Sequence, residues 1–251
     1  MPAEGVHLSL ETDDGGVLFE DVEKVFGTLR VLDGVSLRAA PGEVVAVVGP
    51  SGCGKSTLLE LACGLQAPDG GTVRAAPAVL MPQRDSLLPW AGALDNAALP
   101  LRLKGQDRAT ARAGAHETFL AFGLAGFEAA KPHQLSGGMR QRVAFLRTLL
   151  AGKPVLCLDE PFAALDAIAR ADMQRWLADA LAREPRTVLL VTHDVEEAVL
   201  LGDRVVVMSP RPGRVVADLP VDVPRPRVAT DPAVVALRAR ALEALGGEGA
   251  A

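Results

Sequence analysis

Residues 49–57 read Gly49-Pro50-Ser51-Gly52-Cys53-Gly54-Lys55-Ser56-Thr57, which fits the phosphate-loop pattern G-x-x-x-x-G-K-[ST]. The pattern carries meaning when a strand precedes it and a helix follows it. The apolar run Glu43–Val48 is typical of a buried parallel strand, and Thr57–Ala62 reads as a helix. A glycine-rich turn that matches by chance would lack these flanks. The stretch therefore predicts a nucleoside triphosphate site.

The residue types of this loop suit phosphate. Glycines let successive backbone N–H groups turn inward without a Cβ in the way, and the following helix end adds partial positive charge. We expect residues 49–57 to enclose the phosphates of ATP, with Lys55 bridging the β- and γ-phosphates and Ser56 ligating Mg²⁺.

Composition narrows the class of protein. The chain has 251 residues, of which 49% are hydrophobic, and a formal charge of −5. This hydrophobic fraction is ample for the core of a large α/β domain. No long run of Lys or Arg offers the basic surface that nucleic acid needs, so we expect no nucleic-acid partner.

No run approaches the roughly 18 apolar residues that cross a bilayer. The Met1–Gly16 segment is polar and acidic, without the basic start and apolar centre of a secretory signal. We therefore expect a cytosolic chain whose membrane role comes through a partner. The cysteines Cys53, Cys63 and Cys157 have no metal-ligand spacing, and Cys53 in the loop is predicted to be accessible to alkylation.

The rest of the chain predicts an α/β fold in three parts. Residues 17–40 contain two alternating stretches typical of antiparallel strands, which form an N-terminal β-layer. Three runs with helix periodicity, Ala93–Leu103, Asp107–Gly123 and Gly138–Leu150, indicate an α-helical subdomain inserted at about residues 85–150. Further strands and helices complete a parallel sheet around the phosphate loop.

We assign residues 17–220 to this ATPase domain and residues 221–251 to a C-terminal tail. Thr72-Val73-Arg74 and Ala78–Met81 are predicted as short strands, and Gly213–Asp218 as an edge hairpin strand. The tail is predicted to end in a short helix over Ala233–Leu245.

Two acidic residues end an apolar strand at Val155-Leu156-Cys157-Leu158-Asp159-Glu160. Side chains at the carboxyl edge of a parallel sheet face the ligand. Asp159 is expected to hold Mg²⁺ through water, and Glu160 to orient and polarise the water that attacks the γ-phosphate. The alternative is a chance pair of acids at a strand end.

A second anion site is predicted at Leu135-Ser136-Gly137-Gly138, where Ser136 caps a helix whose first N–H groups are bared by Gly137 and Gly138. One chain thus carries two phosphate-binding elements but one lysine and one acid pair. Two chains facing each other, each supplying the second element to its partner's nucleotide, would use both on one ATP.

The order and spacing of the phosphate loop, Gln83, Leu135–Gly138, Asp159-Glu160, Ala164-Leu165-Asp166 and His193 resemble those of ATP-binding cassette proteins over residues 17 to about 220. The resemblance implies a dimer that closes over two ATP molecules and opens after hydrolysis. It implies that Phe26 stacks on adenine, Gln83 senses the γ-phosphate and metal, and Asp166 links the two sites. His193 would contact the γ-phosphate, and Phe26 has the alternative of being core.

Leu87-Leu88-Pro89-Trp90, followed by Asp95-Asn96, is similar to importers of nitrate, sulfonates and taurine, and Met81–Asp85 to importers assigned to thiamine-precursor pyrimidines. That resemblance implies a peripheral subunit on the cytoplasmic side of the inner membrane, with a separate permease and an extracytoplasmic solute-binding protein. Exposed Leu88 and Trp90 are a predicted permease socket, unless Trp90 packs inside the helical subdomain.

Other functions stay open from the sequence. An exporter-type subunit is the nearest alternative. A cassette protein acting on DNA or the ribosome would carry a coiled-coil insert or a second cassette, and a phosphoryl-transfer kinase would need an acceptor domain. Met139 stands where glutamine is usual in the superfamily, and we interpret it as a subfamily difference.

Overall fold

The computed structural model of the protein describes residues 15–163 and 165–246. Within these ranges the strands are β1 (Val17–Phe26), β2 (Leu29–Ala39), β3 (Val44–Val48), β4 (Gly70–Ala75), β5 (Ala78–Met81), β6 (Val155–Asp159), β7 (Thr187–Thr192), β8 (Arg204–Met208) and β9 (Val215–Pro220). The α-helices are α1 (Lys55–Ala62), α2 (Ala93–Ala97), α3 (Leu99–Leu103), α4 (Arg108–Ala121), α5 (Gly137–Leu150), α6 (Ala167–Arg183), α7 (Val195–Leu201) and α8 (Pro232–Gly246). Most of the Met1–Gly16 segment, Ala164 and the end of the 221–251 tail lie outside the described residues.

The main sheet has six strands in the order β5-β6-β7-β3-β8-β9. The first five in this order run parallel, and β9 returns antiparallel beside β8. Every residue of β3, β6 and β7 is buried, because both faces of a parallel sheet are covered. Parallel strands end at one edge, so the segments after β3, β5, β6 and β7 meet there. The predicted parallel core and edge hairpin are confirmed.

A three-stranded antiparallel sheet in the order β2-β1-β4 covers the first helix. Its buried residues, which include Phe19 and Leu37, form one apolar cluster with Leu58 and Leu61 of α1. The predicted β-layer is confirmed, and the strand predicted at Thr72-Val73-Arg74 is its third member, since β4 pairs with β1.

The helical subdomain consists of α2 to α5, which pack on one another. The single helix predicted over Ala93–Leu103 is wrong, because the structure divides it into α2 and α3 at Ala98. Pro100 explains the break, since proline has no N–H to donate to the carbonyl four residues earlier and its ring clashes with that turn. The helices predicted near Asp107 and Gly138 are present as α4 and α5.

Helix α8 confirms the short helix predicted near the end of the chain. It packs against α7, β8 and β9 and buries Val234 and Ala241. The division at residue 220 stays a prediction. Among the described residues, no helix combines the length and apolar character needed to span a membrane.

Candidate nucleotide-hydrolysis site

The phosphate loop follows β3 and borders a cavity of about 350 Å³ at the carboxyl edge of the main sheet. Twelve residues line this cavity: Leu29, Val31, Ser51, Gly52, Gly54, Lys55, Ser56, Thr57, Gln83, Asp159, Glu160 and Arg211. The structure therefore places the loop beside the predicted acids and Gln83, although these residues come from distant parts of the chain.

Two features show why glycine is required in the loop. Gly54 has φ of 106°, and a Cβ there would lie 2.5 Å from Cδ2 of Leu32 and 3.0 Å from Cγ1 of Val31. Gly52 has φ of 78°, also in the left-handed region that glycine favours. Strand β2 thus packs directly behind the loop and holds its backbone in shape.

Lys55 is buried, and its ammonium donates to the carbonyls of Gly49 at 2.7 Å and Pro50 at 3.0 Å. Both acceptors are neutral, so the charge of Lys55 is retained for an anion in the cavity. A buried ammonium held by two loop carbonyls fits the role predicted for it beside phosphate.

Ser56 and Asp159, the two residues predicted to hold Mg²⁺, are hydrogen-bonded to each other. The Ser56 hydroxyl donates to the carboxylate of Asp159, and burial raises the pKa of that carboxyl while the hydrogen bond opposes the shift. Oxygen ligands of this kind suit Mg²⁺. No cluster of three or more His, Cys, Asp or Glu suited to a metal occurs in residues 15–163 and 165–246, so a cation here would need phosphate or water oxygens to complete its shell.

Glu160 joins the other predicted catalytic side chains. Its Oε2 lies 3.2 Å from Nε2 of Gln83 and 3.2 Å from Nδ1 of His193. The three residues come from the segments after β5, β6 and β7, which end at the same sheet edge. Glu160 has φ of 47°, an uncommon value for a residue with a side chain, and its N–H donates to Val191 at 2.8 Å. Strain at this position accompanies a fixed direction of the carboxylate.

Ser136 caps α5 as expected, because its Oγ accepts from the N–H of Met139 at 3.2 Å. Ser136, Gly137 and Gly138 do not line the cavity, at least among the described residues. The structure of one chain therefore keeps the two predicted phosphate-binding elements apart. Met139 packs partly buried against the core.

Asp166 and Phe26 also lie outside the cavity lining in the described part of the chain. Asp166 caps α6, accepting from the N–H groups of Ile168 at 3.0 Å and Ala169 at 2.9 Å. Phe26 ends β1 and is 45% exposed, so the alternative that it is core is wrong. It pairs across the hairpin with Leu29, which does line the cavity.

The predicted accessibility of Cys53 is wrong. Its side chain is 1% exposed and packs in the same cluster as Met208, and burial raises the pKa of the thiol. Sequence alone placed it in a loop of small residues, but the loop turns this side chain toward the sheet.

The predicted permease socket is only partly exposed. Trp90 is 71% exposed, so the alternative that it packs inside the helical subdomain is wrong. Leu87 is buried and Leu88 half-buried, which corrects the expectation for Leu88. Buried Asn96 fixes this segment, because its side chain accepts from the N–H of Leu88 at 2.7 Å and donates to the carbonyl of Ala91 at 3.2 Å.

Sequence reasoning missed Arg211. It lies on the turn between β8 and β9, lines the cavity, and donates from Nε to the carbonyl of Gly52 at 2.9 Å. The run Ser209-Pro210-Arg211-Pro212-Gly213 signals a turn, but nothing local indicates that the turn lies against the phosphate loop. The sequence also gave no indication of Glu197, which is buried in α7 behind Glu160 and His193.

Comparison with known proteins agrees with this site. The family model described as ABC transporter matches residues 32–163. The formylaminopyrimidine import ATP-binding protein ThiZ of Halalkalibacterium halodurans is 42% identical over 219 residues, which cover 85% of this chain and 88% of that protein. The taurine import ATP-binding protein TauB of Chromobacterium violaceum is 47% identical over 197 residues, which cover 75% of this chain and 76% of that protein.

A solved structure has the same fold. The ATP-binding cassette MJ0796, in a dimeric post-hydrolysis state bound to ADP and phosphate, superposes with a TM-score of 0.75 at 30% identity, covering 82% of this chain and 99% of that one. The family match spans the phosphate loop and the acid pair, and the relatives span most of the chain. The chain therefore belongs to the ABC transporter family and is an ATP-hydrolysing cassette of that family.

Proposed function

We propose that this chain powers uptake of a small organic or anionic solute through a separate membrane permease. The observation that carries the proposal is the meeting of Gln83 and His193 at the carboxylate of Glu160, which lines the cavity beside the phosphate loop together with Gln83. The relatives named for import of taurine and formylaminopyrimidine indicate the solute class. A relative named for aliphatic sulfonates, SsuB 2 of Burkholderia cenocepacia, is 42% identical over 231 residues.

Each residue has a proposed role in hydrolysis. Lys55 and the N–H groups of residues 49–57 hold the triphosphate, and Phe26 stacks on the adenine. Glu160 accepts a proton from the attacking water while Gln83 and His193 hold its carboxylate in place. Ser56, Asp159 and Gln83 would hold Mg²⁺. When bound, Mg²⁺ would neutralise charge on the phosphate oxygens.

The working form is proposed to be a dimer. Ser136, Gly137 and Gly138 lie outside the cavity of their own chain, as far as the described residues show, so a second copy would bring them to the γ-phosphate. Asp166, exposed at the start of α6, would contact the partner. The dimeric state of MJ0796 supports this arrangement. ATP binding then favours the closed dimer and hydrolysis restores the open one.

The permease is proposed to bind beside Trp90. A cavity of about 680 Å³ next to it is lined by Gly92, Asp95, Arg108, Ala109, Arg112, Ala129 and Lys131. The pKa of Asp95 is lowered to about 2, and the hydrogen bond from Arg108 is the largest cause of this shift. Lys131 donates to the carbonyl of Trp90, so the cavity and the exposed ring form one surface. An excess of basic groups beside an aromatic suits a permease segment that carries acidic and apolar side chains.

This assembly would place the chain peripherally on the cytoplasmic side of the inner membrane. The solute-binding protein would act on the other side, delivering solute to the permease. Proteoliposomes that contain the chain and its co-purifying permease, with the solute-binding protein added on the opposite side, are expected to take up taurine, an alkanesulfonate or formylaminopyrimidine only with ATP on the side of the chain. Movement in the opposite direction would overturn import.

Glu160→Gln tests the proposed chemistry. The variant should bind ATP with unchanged affinity, hydrolyse it at least about 100-fold more slowly, and form a dimer with ATP that light scattering detects. Glu117→Gln, on the exposed face of α4, is the matched control and should hydrolyse ATP normally. Normal turnover by Glu160→Gln would refute the assigned role.

A further inference from the structure

A small polar cavity lies behind Glu160 and His193. It encloses about 40 Å³ and is lined by Glu160, Arg170, Thr192, His193, Asp194 and Glu197, together with one alanine. A water molecule takes up about 30 Å³ in the liquid and needs two to four polar partners when buried. The cavity therefore has the size and the lining for a single ordered water.

Two buried polar atoms at this cavity have no hydrogen-bond partner in the described part of the chain. One is Oε1 of Glu197, a residue that is only 4% exposed. The carboxyl group of Glu197 does accept a hydrogen bond from the Thr192 hydroxyl. The other is Nε of Arg170, whose guanidinium also lies 3.7 Å from Asp194. Buried polar atoms in native proteins are almost always satisfied, by water where no side chain reaches them.

We propose that Glu197 is a positioning residue for ATP hydrolysis: its neutral carboxyl and Nε of Arg170 hold one water in this cavity, and that water orients Glu160 and His193. Arg170 donates to the water oxygen and Glu197 donates its proton to it. The water then has both hydrogens free for the acceptors on the opposite wall, including the carboxylate of Glu160. The inference rests on the proposed roles of Glu160 and His193.

The electrostatics of the cavity support a neutral carboxyl. Burial is the largest cause that raises the pKa of Glu197 to about 8, and the nearby charge of Asp194 adds to it. The charge of Arg170 and the hydrogen bond from Thr192 oppose the shift, and Glu160 reinforces it. At pH 7 Glu197 therefore carries its proton.

Other charged groups around α7 are directed elsewhere. Glu196 pairs with Arg238 of α8 at 2.5 Å. Arg204 of β8 pairs with Glu43 and Asp218. Strand β3, which also packs on α7, is entirely apolar. Arg170, Asp194, Glu160 and His193 are thus the charged or titratable groups that meet Glu197 at the cavity.

Loss of the proton would disturb the site in two ways. An ionised Glu197 can only accept a hydrogen bond, so the water would have to donate one of its hydrogens to Glu197. The water molecule would then turn away from its orientation toward Glu160. Ionisation would also place a second negative charge near the carboxylate of Glu160, in addition to the negative charge that the phosphates of bound ATP would bring. Turnover should therefore fall as pH rises through about 8, while ATP binding at the phosphate loop changes little.

The test is the pH dependence of kcat for the full chain with its permease, from pH 6.5 to 9.5. Wild type should lose about tenfold in kcat per pH unit above the pKa of about 8, as one proton is lost. Glu197→Gln keeps a neutral donor, so it should hold kcat within about twofold at pH 7 and lose the decline above pH 8. Glu197→Ala should have a kcat about tenfold below the wild-type value at pH 7, because no donor replaces the carboxyl, and should lack the decline above pH 8, because alanine cannot titrate.

Glu196→Gln, one residue away and paired with Arg238, is the matched control and should keep the wild-type profile. An unchanged decline in Glu197→Gln, or a cavity without ordered water in a high-resolution crystal structure, would overturn the inference. These outcomes are separate from failure of the proposed chemistry, which Glu160→Gln reports. Since Glu197→Gln keeps the volume of the side chain, its profile decides the matter even if Glu197→Ala does not fold.

Discussion

The guanidinium of Arg140 lies 2.9 Å from the carboxylate of Asp85, measured from Nε to Oδ2. Asp85 belongs to the loop that follows Gln83, and Arg140 belongs to the first turn of α5, beside Ser136. Two turns further along α5, Arg147 donates to the carbonyls of Asp85 and Ser86. The helix that would meet the partner's ATP and the loop that would sense the chain's own ATP are therefore held together.

Asp85→Ala should weaken this link, because it removes the ion pair with Arg140 and leaves only the hydrogen bonds from Arg147 to the backbone. The variant should bind ATP with wild-type affinity, since Asp85 does not line the nucleotide cavity, but its stimulation by the permease should fall several-fold. ATPase activity measured with and without the permease checks this. Asp172→Ala, which removes an exposed acid paired with Arg175 on α6, should keep full stimulation. Equal stimulation of both variants would contradict the link.

Arg211 should strengthen nucleotide binding. Its guanidinium adds positive charge at the cavity and its Nε fixes the carbonyl of Gly52, so Arg211→Ala should weaken ATP binding by about three- to tenfold. The loss should shrink at high salt, because an exposed charge is screened. Titration with a fluorescent ATP analogue measures it.

Arg214→Ala is the control for Arg211, because Arg214 lies on the same turn but pairs with Asp33 outside the cavity. If the two variants bind the ATP analogue with similar affinity, Arg211 contributes only to the overall positive charge of the protein and makes no specific contribution at the cavity.

Local sequence predicted the parallel core well. The apolar run that begins at Val155 forms β6 and ends at Asp159, because continuous burial on both faces leaves an apolar run that ends where the strand ends. The phosphate loop and the acids after β6 were found for the same reason, since the residues that carry the chemistry are contiguous with these strands.

Contacts between distant segments could not be predicted in the same way. The burial of Cys53 depends on Met208 and on Gly213, where an added Cβ would lie 2.1 Å from the carbonyl oxygen of Cys53. Arg211 reaches the cavity through that same close approach. Glu197 looks like an ordinary acid in the first turn of a helix, and only the packing of α7 against the sheet makes it buried.

Trp90→Glu should detach the chain from its permease. The ring is exposed beside a cavity with several basic groups, so a carboxylate there would remove apolar contact area and pair with cations needed by the partner. Co-purification with the permease should fall at least about tenfold, while ATP binding by the isolated chain stays unchanged. Leu103→Glu, at an 80% exposed position on α3, is the control and should co-purify normally. Retention of the permease by Trp90→Glu would remove the socket proposal.

Glu197 should also make stability depend on pH. The unfolded chain releases this proton near the ordinary value of 4.5, whereas the folded chain keeps it until a pKa of about 8. Between these values the unfolded state binds fewer protons, so rising pH lowers the free energy of unfolding, by about 1.4 kcal/mol for each unit of difference in pKa.

Glu197→Gln cannot titrate and should lack this contribution. Its free energy of unfolding, relative to wild type, should therefore rise from about pH 4.5 to about pH 8 and level off above. Urea unfolding followed by the fluorescence of Trp176, whose ring lies 3.8 Å from that of Phe122, measures this difference. Glu196→Gln should track wild type at every pH. A difference between Glu197→Gln and wild type that stays constant with pH would mean that Glu197 is ionised in the folded protein.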